Sequence, residues 1–302
     1  MNSKKKEKSR FMNLPLEYSL KENSKVVIVP INYESNMSSS SGTINGYKEI
    51  IIASKELEYF DLDLEVEPYE QGIFLEKEIN SKYKNHNKAI VDITNKIQNL
   101  NLNEKLPIFI GGDHSITQST VNSLENSTDE FGVIIFDAHS DLREYFEDKD
   151  SWPHACVTRK VSLNHKCLIL GVRSQSLEEF EYLKSNTSSA NNISIIKSED
   201  IIKSKNYNLK KFLKKLPSKV FISFDVDVFD TSIIKCTGTP EPGGLDWYKV
   251  NDLLKEIFKN KDVIGIDLVE FAPKGDKNNY FSESFTLAKL LYKIIAYKFY
   301  TK

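Results

Sequence analysis

Short apolar runs alternate along the chain with longer amphipathic segments rich in lysine and glutamate. The runs place valine, isoleucine and phenylalanine at consecutive positions, which is typical of strands buried on both faces of a parallel sheet. They span residues 26–30, 107–110, 132–136, 167–171, 194–196, 220–224 and 263–268. The amphipathic segments predict helices over residues 47–58, 76–100, 117–124, 177–184, 209–216, 247–258 and 285–299.

This alternation of strands and helices continues from end to end and predicts one α/β domain over residues 1–302, with a central parallel sheet. The serine run at 38–41 is typical of a loop and not of a linker between domains. The lysine-rich N-terminus has no apolar run behind it, so it does not resemble a secretion signal. We expect residues 1–20 to form a flexible or loosely packed arm.

Composition narrows the function classes. A net charge of −2 gives no general attraction to nucleic acid or to anionic membranes. No stretch is long and apolar enough for a membrane span. Three cysteines are too few for a disulfide framework and favour reduced thiols in a cytoplasmic protein.

Polar residues follow four of the predicted strands at their carboxyl ends, where ligands bind in open parallel sheets. The residues concerned are Asp113 and His114, then Asp137, His139 and Asp141, then Asp225 and Asp227, and finally Glu270. Within an extended segment, residues two apart point the same way, so each group can share one face. By contrast, His86 and His165 have the sequence context of surface residues.

Carboxylates that converge in one cleft repel each other unless cations neutralise them. Taken singly, Asp-x-Asp or Gly-Gly-Asp-His is typical of a structural turn, but their joint occurrence at several strand ends favours a metal site. Mixed oxygen and imidazole ligands suit Mn²⁺, with Fe²⁺, Co²⁺, Ni²⁺ or Zn²⁺ as alternatives. The ligands are too many for one catalytic metal with an open position, so we expect two metals that share carboxylates and ionise a water.

Four blocks resemble the signatures of the arginase/agmatinase ureohydrolases: GGDHS (111–115), DAHSD (137–141), SFDVD (223–227) and GTPEPGGL (238–245). The resemblance extends from about residue 28 to the last helix, and implies a three-layer α/β/α fold with a central, mostly parallel sheet. It also implies urea release from a guanidine and assembly into homo-trimers or hexamers. One Mn²⁺ would be held by His114, Asp137, Asp141 and Asp225, and the second by His139, Asp137, Asp225 and Asp227.

The same resemblance assigns roles to further residues. Glu270 matches the glutamate that binds the guanidinium, which a carboxylate can do through two parallel hydrogen bonds. Asp141 would carry the proton to the leaving amine. His154 matches a histidine that acts as proton shuttle or substrate contact, and Trp152 and Arg143 are candidate substrate contacts.

The loop after DAHSD bears on the substrate tail. Residues 142–150 lack the Ser-Gly-Asn stretch of arginases, and together with His-Ala-Cys-Val at 154–157 they resemble an agmatinase-like branch. Four acidic residues in the loop suit a cationic tail. The expected substrate is agmatine, giving putrescine, followed by aminopropylagmatine and then arginine; Arg143 leaves guanidinobutyrate open, although pairing with a neighbouring glutamate is favoured.

Some positions depart from the family pattern, and other classes of protein compete. Thr231 replaces a proline, residues 233–236 are bulkier than usual, and only residues 38–46 represent the glycine- and proline-rich cleft segment. The competing hypotheses are a non-catalytic protein that retains the fold and an amide hydrolase with a single zinc. A phosphohydrolase is disfavoured because no glycine-rich phosphate loop is present.

Overall fold

The computed structural model describes residues 9–35, 42–125, 128–145, 154–203 and 207–301, and a parallel β-sheet lies at its centre. The strands are β1 (Val26–Asn32), β2 (Ile73–Leu75), β3 (Ile79–Asn80), β4 (Leu106–Ile110), β5 (Phe131–Phe136), β6 (Cys167–Val172), β7 (Ile193–Lys197), β8 (Lys219–Asp225) and β9 (Asp262–Val269). Their order is β2-β1-β4-β9-β8-β5-β6-β7, with β3 also paired to β1, and each of these pairings is parallel.

Helices cover both faces of the sheet. They are α1 (Gly46–Ala53), α2 (His86–Gln98), α3 (Ile116–Leu124), α4 (Val157–Val161), α5 (Leu177–Leu183), α6 (Ser188–Asn191), α7 (Ser198–Ile202), α8 (Leu209–Leu213), α9 (Trp247–Asn260) and α10 (Phe281–Tyr300). The predicted three-layer α/β/α fold is therefore confirmed.

Alternate residues of each strand contribute to two separate hydrophobic cores. In β1, Val26 and Ile28 pack in a core that contains residues of α1, α9 and α10, whereas Val27 and Val29 pack in a core with residues of α2, α3 and α4. Successive side chains of a strand point to opposite faces, so burial on both sides requires the continuous apolar runs seen in the sequence. Each such side chain contributes roughly 1.5–3 kcal/mol to folding.

Helix α9 shows how local sequence specifies an element. Its cap is Asp246, whose side chain accepts a hydrogen bond from the backbone N–H of Lys249 at 2.7 Å. Its buried apolar residues recur with helical spacing, so one face packs against the core: Val250, Leu253, Leu254, Ile257 and Phe258.

The predicted helix over residues 76–100 is wrong in its first third. Residues 76–78 connect the short strands β2 and β3, which pair with β1, and α2 begins only at His86. The side chain of Asn85 caps α2 by accepting a hydrogen bond from the backbone N–H of Lys88. An asparagine cap fixes the start of a helix more firmly than amphipathic spacing does.

The N-terminal segment is also more ordered than predicted. Phe11, Met12 and Leu14 are buried in the core, and the backbone N–H of Met12 donates to Ser54 Oγ at 2.9 Å. A loosely packed arm over residues 1–20 is therefore wrong for residues 11–14, because their apolar side chains fill space beside α1.

His86 and His165 are buried, so their predicted surface location is wrong. His86 Nδ1 lies 3.2 Å from Tyr33 Oη, and His165 bonds the carbonyl of Phe131 and the carboxylate of Glu125. Polar neighbours in sequence did not reveal that both side chains turn inward.

Among the described residues, every helix is too short or too polar to cross a membrane.

The strand order places the polar motifs together. Strands β4, β9, β8 and β5 are consecutive neighbours in the middle of the sheet. Because all four are parallel, their carboxyl ends lie at one edge, and the four polar segments that follow them meet there.

Candidate metal centre

A glycine turn carries the chain from β4 to His114. Gly111 and Gly112 have φ values of +101° and +81°, and a Cβ on Gly112 would lie 2.4 Å from the carbonyl oxygen of Tyr33. Only glycine fits this turn without displacing the backbone. The Gly112 carbonyl in turn accepts a hydrogen bond from the backbone N–H of Glu270, which joins the ends of β4 and β9.

The first cluster surrounds the imidazole of His114. Its Nδ1 lies 3.2 Å from Asp137 Oδ2, 3.1 Å from Asp141 Oδ2 and 3.3 Å from Asp225 Oδ2. All four residues are buried. Among the residues that the structure describes, His114 Nδ1 and Asp137 Oδ2 nevertheless have no hydrogen-bond partner, as expected of atoms that face a cation.

The second cluster lies beside the first and shares Asp137 with it. His139 Nδ1 is 2.9 Å from Asp227 Oδ2 and 3.6 Å from Asp137 Oδ1. Two groups of potential metal ligands thus lie within reach of a cation each: His114, Asp137 and Asp225 in one, and Asp137, His139 and Asp227 in the other. The shared carboxylate suits a pair of divalent metals.

Hydrogen bonds behind the cluster determine which nitrogen of His114 faces it. Ser223 Oγ donates to Asp267 Oδ1 at 2.6 Å and lies 3.0 Å from His114 Nε2. With its own proton directed to Asp267, the Ser223 hydroxyl accepts from the Nε2–H of His114. Nδ1 then presents a lone pair to three carboxylates, an arrangement that fits a metal ion. Asp267 was not predicted from the sequence, because it lies inside an apolar strand.

Without a metal, the site retains protons. Burial lowers the pKa of His139, but the neighbouring carboxylates of Asp137 and Asp227 outweigh it and raise that pKa to about 12. Burial also lowers the pKa of His114, and the carboxylates of Asp137, Asp141 and Asp225 raise it well above its usual value. Burial and the neighbouring Asp137 raise the pKa of Asp141 to about 6.

Metal affinity should therefore rise with pH. A metal binds the neutral imidazole, so it must displace the proton that His139 holds up to a pKa of about 12. We expect the logarithm of the association constant for Mn²⁺ to increase by about one per pH unit for each proton displaced. Calorimetric titration of metal-free protein at several pH values between roughly 6 and 8.5 measures this slope; an affinity independent of pH would contradict it.

Glu270 follows β9 and lies beside the first cluster. It is buried and has a positive φ of 67°. Its Oε1 accepts a hydrogen bond from the backbone N–H of His114 at 2.7 Å. Burial, followed by repulsion from Asp113, raises the pKa of Glu270 well above its usual value in this cation-free site. A cation placed beside Glu270 would relieve both effects.

Asp113, which the sequence places at the same rim, has structural partners. Its Oδ2 accepts hydrogen bonds from the backbone N–H and the hydroxyl of Ser35, both at 2.6 Å. Its Oδ1 accepts from the backbone N–H and the hydroxyl of Ser115. Asp113 therefore stabilises the turn that presents His114.

Glu179 holds the segment that contains His139 and Asp141. Its Oε1 accepts hydrogen bonds from Ser140 Oγ and the backbone N–H of Leu142, while Oε2 accepts from the backbone N–H of Ser176. Asp141 itself adopts a positive φ of 50°. Glu179 was not predicted from the sequence, although Ser-x-x-Glu at 176–179 is the pattern of a capping box and could have identified it.

Arg173 connects the backbone segments that carry the second cluster. Its guanidinium lies within 3.4 Å of six main-chain carbonyl oxygens and donates to them all: Gly171, Asp227, Val228, Phe229, Glu241 and Pro242. Its own backbone N–H donates to the carbonyl of Ala138 at 2.8 Å. One residue thus holds the backbone directly before His139 and directly after Asp227.

Replacing Arg173 with lysine should weaken metal binding at the second cluster. A lysine ammonium has three donors and cannot satisfy this set of carbonyls. We expect the affinity for a metal at the second cluster to fall by about 10- to 100-fold, as is typical when support for a ligand is lost. Two-site titration with Mn²⁺ measures the effect, and unchanged affinity at both sites would show that Arg173 does not position the ligands.

His154 and Arg143 lie in segments that contact each other. His154 begins the helical turn His154–Cys156, and the carbonyl of Ala155 accepts a hydrogen bond from the backbone N–H of Arg143. The turn therefore lies against the chain that follows Asp141. Trp152 and three of the four acidic loop residues lie outside the described residues; the fourth, Glu144, is 3.6 Å from Arg159.

A sequence model of the arginase family matches residues 24–296, which is most of the chain. The chain belongs to the arginase family. The six carboxylate and imidazole residues of the two clusters thus occur in an arginase-family ureohydrolase, an enzyme that cleaves C–N bonds of guanidines.

Relatives and solved structures agree with this assignment. The protein is 33% identical over 279 residues to an N(1)-aminopropylagmatine ureohydrolase of Synechocystis, covering 90% of this chain and 88% of that protein. It is 37% identical over 212 residues to an agmatinase of Pyrococcus horikoshii, covering 69% and 68%. The crystal structure of agmatine ureohydrolase of Thermoplasma volcanium has a TM-score of 0.76 and 29% identity, covering 92% of this chain and 90% of that one.

The positions that depart from the family pattern are accommodated beside the site. The carbonyl of Cys236 accepts a hydrogen bond from the backbone N–H of Ala272, and its N–H donates to Glu283. Ile234 is buried in the core. Ile233, Ile234 and Cys236 therefore pack toward the core, whereas Lys235 is exposed.

Proposed function

We propose that this arginase-family protein releases urea from a linear guanidine with a cationic tail, either N(1)-aminopropylagmatine or agmatine. One observation carries the proposal: buried Asp137 belongs to two ligand groups at once, and the adjacent Glu270 carboxylate is fixed by the backbone of the same turn. Two metals and a guanidinium-binding carboxylate are the components that this hydrolysis requires.

The proposed ligands of the first metal are His114, Asp137, Asp141 and Asp225, and those of the second are His139, Asp137, Asp225 and Asp227. A set of carboxylate oxygens and imidazole nitrogens, without thiolate, suits Mn²⁺ best among common divalent metals. When bound, the two metals would act as Lewis acids and supply a water nucleophile at neutral pH.

The side chains of the chain itself would bind the substrate and move the proton. Oε1 of Glu270 is held by the His114 N–H, and its second oxygen can accept from the planar guanidinium, which orients the carbon to be attacked. Asp141 would take the proton of the attacking water to the leaving amine. His154 would exchange this proton with solvent or contact the substrate, and Arg143 and Trp152 stay proposed contacts.

The substrates for which three similar proteins are named favour a cationic tail. The Synechocystis relative, matched over 90% of this chain, is named for aminopropylagmatine, and the Pyrococcus horikoshii and Thermoplasma volcanium proteins are named for agmatine. Both compounds join a guanidine to an ammonium-bearing chain.

Assembly into trimers or hexamers and a cytoplasmic location are further proposals based on the family resemblance.

The test is urea release by purified protein reconstituted with Mn²⁺. Agmatine, N(1)-aminopropylagmatine, arginine and 4-guanidinobutyrate are offered side by side, with Asp141→Asn as the inactive control. We expect urea from one or both of the first two and none from the control. Hydrolysis of arginine or guanidinobutyrate alone would contradict the proposed tail, and no urea from any of the four would contradict the proposed substrate class.

A further inference from the structure

The fourth signature block, GTPEPGGL at 238–245, has no role in the mechanism above, yet its backbone is held firmly. Arg173 donates hydrogen bonds to the carbonyls of Glu241 and Pro242 at 2.9 and 3.1 Å. Asp230 Oδ2 accepts from the backbone N–H groups of Gly243 and Gly244, both at 3.0 Å. This loop is therefore fixed at Glu241 itself and at the three residues that follow.

Close packing explains one of the glycines. A Cβ on Gly244 would lie 2.4 Å from the Phe229 carbonyl oxygen and 2.3 Å from the Asp230 nitrogen, so the loop lies directly against the chain that follows Asp227. Ser198 Oγ adds a third anchor by donating to the carbonyl of Gly243 at 2.6 Å. The backbone of this loop is thus anchored beside the second cluster.

This backbone places the Glu241 carboxylate just outside the metal cluster. Oε1 of Glu241 lies 3.8 Å from Nε2 of His139, whereas Nδ1 of the same ring faces Asp227 at 2.9 Å. Glu241 is therefore separated from the cluster by the width of one imidazole ring. Its side chain is 34% exposed, and among the described residues none donates a hydrogen bond to its carboxylate.

A purely structural role for this carboxylate is poorly supported. A separation of 3.8 Å from Nε2 is too long for the hydrogen bond by which carboxylates orient metal-binding histidines. The fixed backbone and the solvent-facing carboxylate instead resemble a preorganised site for a mobile cation.

We infer that Glu241 is a specificity-determining residue, whose carboxylate receives the ammonium group of the substrate tail. This rests on the proposed function. A substrate of the proposed class carries an ammonium beyond a chain of four carbons, which spans on the order of 7 Å at bond lengths of about 1.5 Å. The Glu241 carboxylate lies one imidazole ring beyond the cluster, where it can form a charge-assisted hydrogen bond with that ammonium.

The first test compares charged and uncharged tails in Glu241→Gln. Asp129→Asn is the matched control, since it removes one fully exposed carboxylate at the opposite edge of the sheet. For agmatine and N(1)-aminopropylagmatine we expect KM to rise about tenfold in Glu241→Gln, with kcat nearly unchanged. For butylguanidine, which has no ammonium, KM should be the same in wild type and both variants.

The second test does not depend on turnover. Calorimetry with 1,4-diaminobutane, which retains the tail and lacks the guanidine, should show about tenfold weaker binding to Mn²⁺-loaded Glu241→Gln than to wild type. Equal diamine affinity would overturn the inference, even if urea is released normally. An equal rise in KM for butylguanidine and agmatine would overturn it as well, since Glu241 would then act through His139 and not on the tail. Absence of urea from every guanidine in wild type, with weaker diamine binding in the variant, would support the inference and contradict only the proposed reaction.

Discussion

Asp137→Asn should lose both metals and nearly all urea release. Asp137 is the residue common to the two ligand groups, with Oδ2 3.2 Å from His114 Nδ1 and Oδ1 3.6 Å from His139 Nδ1. Asparagine has the same shape but has no negative charge, and its amide nitrogen cannot bind a cation. We expect kcat/KM to fall by at least about 10³-fold, which corresponds to roughly 4 kcal/mol.

The metal content of Asp137→Asn tests whether urea release is lost because the metals no longer bind. Elemental analysis of the variant after reconstitution should give well below one Mn²⁺ per chain, while Asp129→Asn should equal wild type in metal and in rate. Circular dichroism should show that the variant is folded, because asparagine keeps the shape of the side chain and its oxygen can still accept the hydrogen bond from the backbone N–H of His139. A variant that keeps two metals would contradict a shared ligand at this position.

Glu270→Gln should retain the metals and lose catalysis. Glutamine can still accept the hydrogen bond from the His114 N–H, so the turn is preserved. It has no charge to pair with a guanidinium, and loss of one member of a buried charge pair costs about 2–5 kcal/mol. We expect kcat/KM to fall by about 10²- to 10³-fold.

The metal readout separates this variant from Asp137→Asn. Two Mn²⁺ per chain should remain in Glu270→Gln, with affinities within about threefold of wild type. An intact rate would show that Glu270 does not bind the guanidinium. Loss of metal together with the rate would instead identify Glu270 as a support of the His114 turn.

The sequence predicted those parts of the site in which one type of residue has one structural role, namely apolar residues in the strands and carboxylates at the strand ends. Consecutive apolar residues identified β1 and the strands from β4 to β9. The carboxyl ends of parallel strands meet at one edge, so the sequence alone was enough to place Asp137 and Asp225 together. The prediction failed where an interaction joins distant segments. Nothing around His86 or His165 in sequence shows the Tyr33 and Phe131 groups that bond them in the interior.

The residues that support the metal ligands also divide into those with a local sequence pattern and those that act on distant segments. Asp267 lies inside an apolar strand. It orients His114 through a hydrogen bond to the Ser223 hydroxyl on the neighbouring strand. Arg173 acts on carbonyl groups, which carry no sequence signal. Glu179 is different, because the capping box at 176–179 is visible in the sequence and indicates that its carboxylate bonds backbone groups.

A paired-metal site is tested best by titration of metal-free protein with Mn²⁺, in which bound metal and urea release from agmatine and N(1)-aminopropylagmatine are followed together. We expect binding to saturate at two Mn²⁺ per chain and urea to be released only by protein that holds them. Saturation at one metal per chain, or full urea release before any metal is added, would contradict a paired-metal site built on Asp137.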